Sequence, residues 1–137
     1  MNPPFKVKSD VVTNNSAKTI VVPKYGLWDI KSIMVKLATT ATVGARQIRL
    51  SILTPEDVPI FVTDALNTQA ASLTYRYMFL PGVANEDHQA KLWLQNALPA
   101  DCQIPAGYKI KIEDTAAIAA AADDMEVQIS YLNRFQY

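Results

Sequence analysis

The chain has 137 residues, and its 13 lysines and arginines are balanced by 13 aspartates and glutamates, so the formal net charge is zero. This length predicts one domain, and the 50% apolar share is enough for a hydrophobic core. A duplex-binding protein needs surplus basic residues to neutralise phosphates, so nucleic-acid binding is not expected. The single cysteine, Cys102, cannot form an intramolecular disulfide, and the single histidine, His88, excludes most acid–base and metal constellations. The composition argues against an enzyme and against a bound cofactor.

No segment approaches the roughly 20 apolar residues that a membrane-spanning helix needs, and the N-terminus lacks the layout of a secretory signal. We therefore expect no membrane partner. A lone thiol is harmless in a reducing cytoplasm, where the protein should be made and kept unless it leaves with an assembly.

Residues 1–18 are predicted to form an extended arm, because prolines favour extended backbone and the apolar residues here are too few to build a core. Two interpretations stay open. The arm is a frayed terminus, or it becomes ordered by lying on a neighbouring subunit or adding a strand to its sheet. The residues that would make such contacts are Pro3, Pro4, Phe5, Val7, Val11 and Val12.

From residue 19 onward, apolar and polar residues alternate with a period of two, which is typical of strands with one buried face. Because proline cannot donate a backbone hydrogen bond, Pro59 indicates either that the fourth strand lies at a sheet edge or that this strand starts at Pro59. About eight strands are predicted, at residues 20–22, 27–38, 48–52, 58–63, 73–79, 92–94, 108–113 and 125–132. Residues 19–137 are thus predicted to form an all-β, jelly-roll-like sandwich of two antiparallel sheets. Residues 116–122, six alanines and one isoleucine, are expected to form a helical turn or a small-residue loop.

Several polar residues invite a functional interpretation. His88 follows Asn85, Glu86 and Asp87, but no second histidine or cysteine pair completes a metal site, so a solvated loop is favoured. Cys102 lies in no recognisable nucleophile motif, so we interpret it as a small, partly buried apolar residue.

Two acidic groups could bind calcium or hydrolyse glycosides, namely Asp123–Asp124 with Glu126, and Glu56–Asp57. Acids beside strands are usually turn formers, however. A basic strip for single-stranded nucleic acid would comprise Arg46, Arg49, Lys109 and Lys111 with Tyr108, but interspersed acids argue against it.

The aromatic residues leave two questions open. Trp28 and Trp93 are expected in the core, although exposed tryptophans would suit a carbohydrate-binding module. The C-terminal Tyr131, Arg134, Phe135 and Tyr137 are of types enriched in interfaces, and pack either on their own domain or on a partner. A charge-poor β-domain with an arm at one end and aromatics at the other is suited to packing against copies of itself or a lattice.

Between residues 27 and 132, a series of short turn and strand motifs resembles the pattern of a known protein family. They are Trp28, TVGARQIRL at 42–50, QAAS at 69–72, YMFLPG at 77–82, LP at 98–99, PAGYKI at 105–110, and Asp123–Asp124 before the last strand. In this order the chain resembles the small β-sandwich decoration, or cement, proteins of tailed bacteriophages.

The resemblance implies an oligomeric jelly roll, a dimer or trimer, bound to the major capsid protein outside the head and bridging neighbouring coat subunits. It marks no individual binding residues. From composition alone, the arm residues above, with Arg134, Phe135 and Tyr137, are the candidate interface. The alternative is a tail-associated or glycan-binding adhesion module.

Overall fold

A computed structural model of the chain describes residues 5–14, 17–116 and 123–134, and the side chains of the latter two ranges. Pro3, Pro4, Phe135 and Tyr137 of the candidate interface lie outside it, as does the alanine run apart from Ala116. The described residues form a 3₁₀ turn at Gln89–Lys91 and eleven strands, which are β1 Phe5–Asn14, β2 Lys18–Val21, β3 Leu27–Ala38, β4 Ile48–Leu53, β5 Pro59–Asp64, β6 Thr74–Pro81, β7 Glu86–His88, β8 Trp93–Leu98, β9 Gln103–Pro105, β10 Lys109–Asp114 and β11 Asp124–Asn133.

The strands form two sheets that pack face to face. The larger sheet has the order β1-β11-β3-β6-β8-β7, with β9 paired to the start of β3, and the smaller sheet has the order β2-β10-β4-β5. All pairs are antiparallel except β6 with β8, which is parallel. The predicted all-β sandwich is confirmed.

The alternation of apolar and polar residues along the chain explains why the predicted strands form. In β3, Ile33, Val35 and Leu37 are buried, while Ser32, Met34 and Lys36 between them are partly exposed. Because successive side chains point to opposite faces, one set faces the second sheet and the other faces solvent. Inward-facing residues of both sheets form one hydrophobic cluster, in which Trp28 stacks on Tyr131 at 4.0 Å between ring centroids.

The structure has three strands beyond the eight predicted. Strands β7 and β9 have three residues each, too few to show an alternation. The connection through β7 also lets β8 run parallel to β6, which the prediction of antiparallel sheets missed.

The third additional strand lies within the predicted arm. Phe5–Asn14 forms β1 and pairs antiparallel with β11 of the same chain, with Phe5 opposite Leu132 and Val7 opposite Ser130. Whether the arm also contacts a neighbouring subunit stays a prediction.

In the part of the chain that the structure describes, no helix is long and apolar enough to cross a membrane.

Candidate interaction surface

The largest group of exposed apolar side chains lies along β5, the edge strand of the smaller sheet. Val58, Ile60, Val62 and Leu66 have exposed fractions of 55%, 59%, 48% and 41%. They are half of the eight large apolar residues exposed in the described chain, although they fall within nine consecutive positions. Single exposed apolar residues need no explanation, but a contiguous patch is typical of an interaction site.

Strand β5 forms one of the four edges that end the two sheet orders. The edge strand β7 has only three residues, including exposed Glu86 and Asp87, and β2 has only four. The sequence of β1 contains two lysines and an aspartate. Strand β5 has Pro59 at its start and a bulge at Ile60, but residues 60–63 carry no charge. An uncharged edge offers unpaired backbone groups to another strand.

An apolar groove of about 190 Å³ adjoins this edge. Ile60 and Phe61 line one side, and Pro99, Ile104 and Tyr108 contribute to the rest. Of the exposed apolar residues, Ile60 lines this groove, whereas Val62 lines a depression on the outer face of the smaller sheet. We call the exposed residues of 58–66 together with this groove the β5 edge surface.

Cys102 lines the floor of the same groove but is only 4% exposed. Burial raises the pKa of its thiol to about 11, with smaller contributions from the charges of Asp29 and Asp101. A thiolate is the reactive form of cysteine, so this environment disfavours nucleophilic chemistry.

We expect Cys102 in the native protein to react with an aromatic disulfide reagent at pH 8 at least about 100-fold more slowly than in urea, because both the thiolate fraction and access are reduced. Stopped-flow absorbance gives both rates. Similar rates in the two solvents would show that the thiol is open to solvent.

The basic strip, which the sequence argued against, is not a continuous positive surface among the described residues. Arg49 and Lys111 line a depression of about 480 Å³ on the outer face of the smaller sheet. Arg49, Lys109 and Lys111 each pair with a carboxylate. The pairs are Arg49–Asp64 at 2.7 Å, Lys109–Asp57 at 2.6 Å and Lys111–Glu113 at 3.1 Å. The hydrogen bond from Arg49 lowers the pKa of Asp64. The positive charges of this face are neutralised within the chain.

The fourth residue of that strip, Arg46, is fully buried in a polar network. Its Nε donates to Asp123 Oδ2 at 2.7 Å and its Nη2 to Asp123 Oδ1 at 3.1 Å. Its Nη1 donates to the backbone oxygens of Thr42 and Gly44. Asp123 also accepts hydrogen bonds from the backbone N–H and the hydroxyl of Thr40. The network fixes the loop before β4 to the start of β11, which is a structural role.

The tryptophans differ in environment. Trp28 is 3% exposed and cannot stack on a sugar, whereas Trp93 is half-buried on the outer face of the larger sheet. His88 stacks on Trp93 at 4.0 Å between centroids and lies 3.2 Å from Glu86 Oε2. Within the described ranges, no three His, Cys, Asp or Glu side chains are placed to hold a metal ion.

Of the side chains in the predicted interface, the structure describes only that of Arg134. Its guanidinium binds Asp29 Oδ2 at 3.2 Å, and its backbone N–H donates to the oxygen of Leu27. Phe5, Val7, Val11 and Val12 are described as backbone within β1. Sequence reasoning missed the β5 edge surface. Pro59 indicates the edge position, but the apolar run VPIFV at 58–62 does not by itself distinguish an exposed strand from a buried one.

No protein-family model matches the chain, and no curated protein matches it either. Among solved structures, the chain is similar to part of one described as the structure of infectious bursal disease virus, Gx strain, with 8% identity and a TM-score of 0.37. The match covers 94% of this chain and 33% of the viral chain, so this chain spans about a third of that chain's length. A similarity at this TM-score does not indicate what the chain does.

Proposed function

We propose that the protein is a non-enzymatic structural component of a virion, a decoration protein that binds the outside of the head and associates with itself through the β5 edge surface. Its partners are the major capsid protein and further copies of this chain. The sequence resemblance motivates the virion assignment, and the exposed apolar residues Val58, Ile60 and Val62 at the β5 edge support an association role.

The physical reason is that an edge strand of this kind can gain both backbone hydrogen bonds and apolar burial when a second strand pairs with it. Apolar contacts are screened little by salt, whereas exposed ion pairs are weakened. Association through β5 should therefore persist at high ionic strength. Many weak contacts repeated over a capsid lattice would add up through avidity.

The test is sedimentation of the full chain at up to about 100 μM, together with co-sedimentation with heads of its own virus. We expect oligomers that survive 1 M salt, and Ile60→Lys or Val62→Lys should weaken association at least about 10-fold, because each buries a charge in an apolar contact.

Val43→Lys is the matched control, since Val43 is 89% exposed and lies in the loop before β4. It introduces the same charge elsewhere and should leave association unchanged. A protein that stays monomeric and ignores the heads would overturn the proposal. If Val43→Lys weakens association as much as Ile60→Lys and Val62→Lys do, the added net charge, and not its position on β5, causes the loss. Deleting residues 2–17 is less informative, because it also removes β1 from the sheet and exposes the edge of β11.

A further inference from the structure

A row of four side chains crosses the outer face of the larger sheet from β3 to the β7 edge. Strand register places Lys36 opposite Arg76, Arg76 opposite Trp93, and Trp93 opposite His88. Neighbouring strands are about 4.8 Å apart, so adjacent members of the row can contact one ligand together. We call these four residues the cross-strand row.

Arg76 differs from the other arginines of the chain. Arg46, Arg49 and Arg134 each bind a carboxylate. Arg76 is exposed and, like Lys36 beside it, has no ion-pair partner among the described residues. Two like charges directly opposite each other on a sheet are unfavourable. An anionic group bound between them would remove that repulsion, and a guanidinium matches a carboxylate with two parallel hydrogen bonds.

The other half of the row is a pair of planar rings. The His88 and Trp93 rings are nearly parallel, at 18°, and both residues are partly exposed. Trp93 makes no ring or cation contact except with His88 within the described part of the chain. Its remaining surface can therefore pack against the apolar face of a ligand ring, one strand away from Arg76 and two strands away from Lys36.

Acidic residues limit the positive region to the size of one group. Glu126 is opposite Lys36 on the β11 side, and Glu86 lies two residues before His88 in β7 at the other end. A polyanion such as single-stranded nucleic acid would be repelled at both ends. A ring that carries one carboxylate fits both the cation pair and the aromatic pair.

We propose that the cross-strand row binds an acidic saccharide, with a uronic acid carboxylate held by Arg76 and Lys36 and a sugar ring packed against Trp93. This site lies on the opposite sheet from the β5 edge surface and does not rest on the proposed virion function.

The test is isothermal titration of the full-length protein at low salt with a uronic acid tetrasaccharide. The comparison ligands are its carboxyl-reduced neutral form, inorganic sulfate and an oligoglutamate peptide. We expect saturable binding of the acidic saccharide below about 10 mM and at least about 10-fold weaker binding of the neutral form. Arg76→Ala and Trp93→Phe should each weaken binding of the acidic saccharide at least about 3-fold.

Arg49→Ala is the matched control, because it removes the same charge from the outer face of the smaller sheet. It should leave the affinity unchanged, and circular dichroism verifies that each variant is folded. The proposal is overturned by no binding at 10 mM ligand, by equal binding of the neutral form, or by equal loss in Arg49→Ala. Equal binding of oligoglutamate would assign the row to an acidic protein segment, and binding of sulfate alone would show an adventitious ion only.

Discussion

Replacing Arg46 with methionine should lower the free energy of unfolding by about 3 to 5 kcal/mol. Arg46 and Asp123 have side-chain exposures of 0% and 1%, so the substitution leaves a buried carboxylate without its cation. It also leaves the backbone oxygens of Thr42 and Gly44 without the donor they share. Urea denaturation followed by circular dichroism gives the change directly.

The comparison for this prediction is Arg49→Met, which breaks a pair of the same type whose side chains are 39% and 46% exposed. Exposed ion pairs contribute about 0 to 1 kcal/mol, so the loss should be several times smaller. If both variants lose the same free energy of unfolding, burial does not determine how much the Arg46–Asp123 pair stabilises the fold.

The same network predicts a direction for the pH dependence. Burial alone would raise the pKa of Asp123, but hydrogen bonds from Arg46 and Thr40 outweigh it and lower the pKa below its ordinary value. A carboxyl with a lowered pKa in the folded state stabilises the fold above its unfolded pKa, and this stabilisation is lost as pH falls through the folded value. Unfolding free energy should therefore fall below about pH 4, and less steeply in Asp123→Asn.

Arg46 also illustrates what the sequence can and cannot predict. The alternation of Ile48, Leu50 and Ile52 reveals strand β4 because one face of that strand is buried along its whole length. The burial of Arg46, two residues earlier, depends on Asp123, which is 77 positions away in the chain. No local pattern identifies such a partner, so the sequence could offer Arg46 only as a member of a basic strip, which the interspersed acids already argued against.

For the β5 edge surface and the cross-strand row, too, the sequence predicts features that depend on neighbouring residues but not those that depend on distant strands. Pro59 correctly predicted an edge strand, because proline cannot donate to a neighbouring strand. That the run VPIFV is exposed follows only from the place of β5 in the sheet order, since the same run would suit a buried strand. Similarly, the cross-strand row joins residues from four strands, and a strand register is needed to bring them together.

A second buried polar group, Gln69, should be nearly as important for stability as Arg46. Gln69 is 0% exposed, and its Nε2 donates to the backbone oxygens of Leu37 at 2.8 Å and Leu73 at 3.0 Å. Its Oε1 accepts a hydrogen bond from the Tyr77 hydroxyl at 2.8 Å. Gln69→Leu keeps a similar volume but leaves these groups unpaired, which should cost about 2 to 4 kcal/mol in urea denaturation.

Tyr77→Phe removes the other side of the Gln69–Tyr77 hydrogen bond and should cost about 1 to 2 kcal/mol, because one buried acceptor remains unpaired. In the double variant, the hydroxyl and the amide that bind each other are both absent. Its loss should therefore be smaller than the sum of the single losses by about 1 kcal/mol. The Gln69 side chain links the loop before β6 to both β3 and β6 through these three hydrogen bonds. Strictly additive losses would show that the bond to Tyr77 contributes nothing, and that Gln69 stabilises the fold only through its hydrogen bonds to the backbone oxygens.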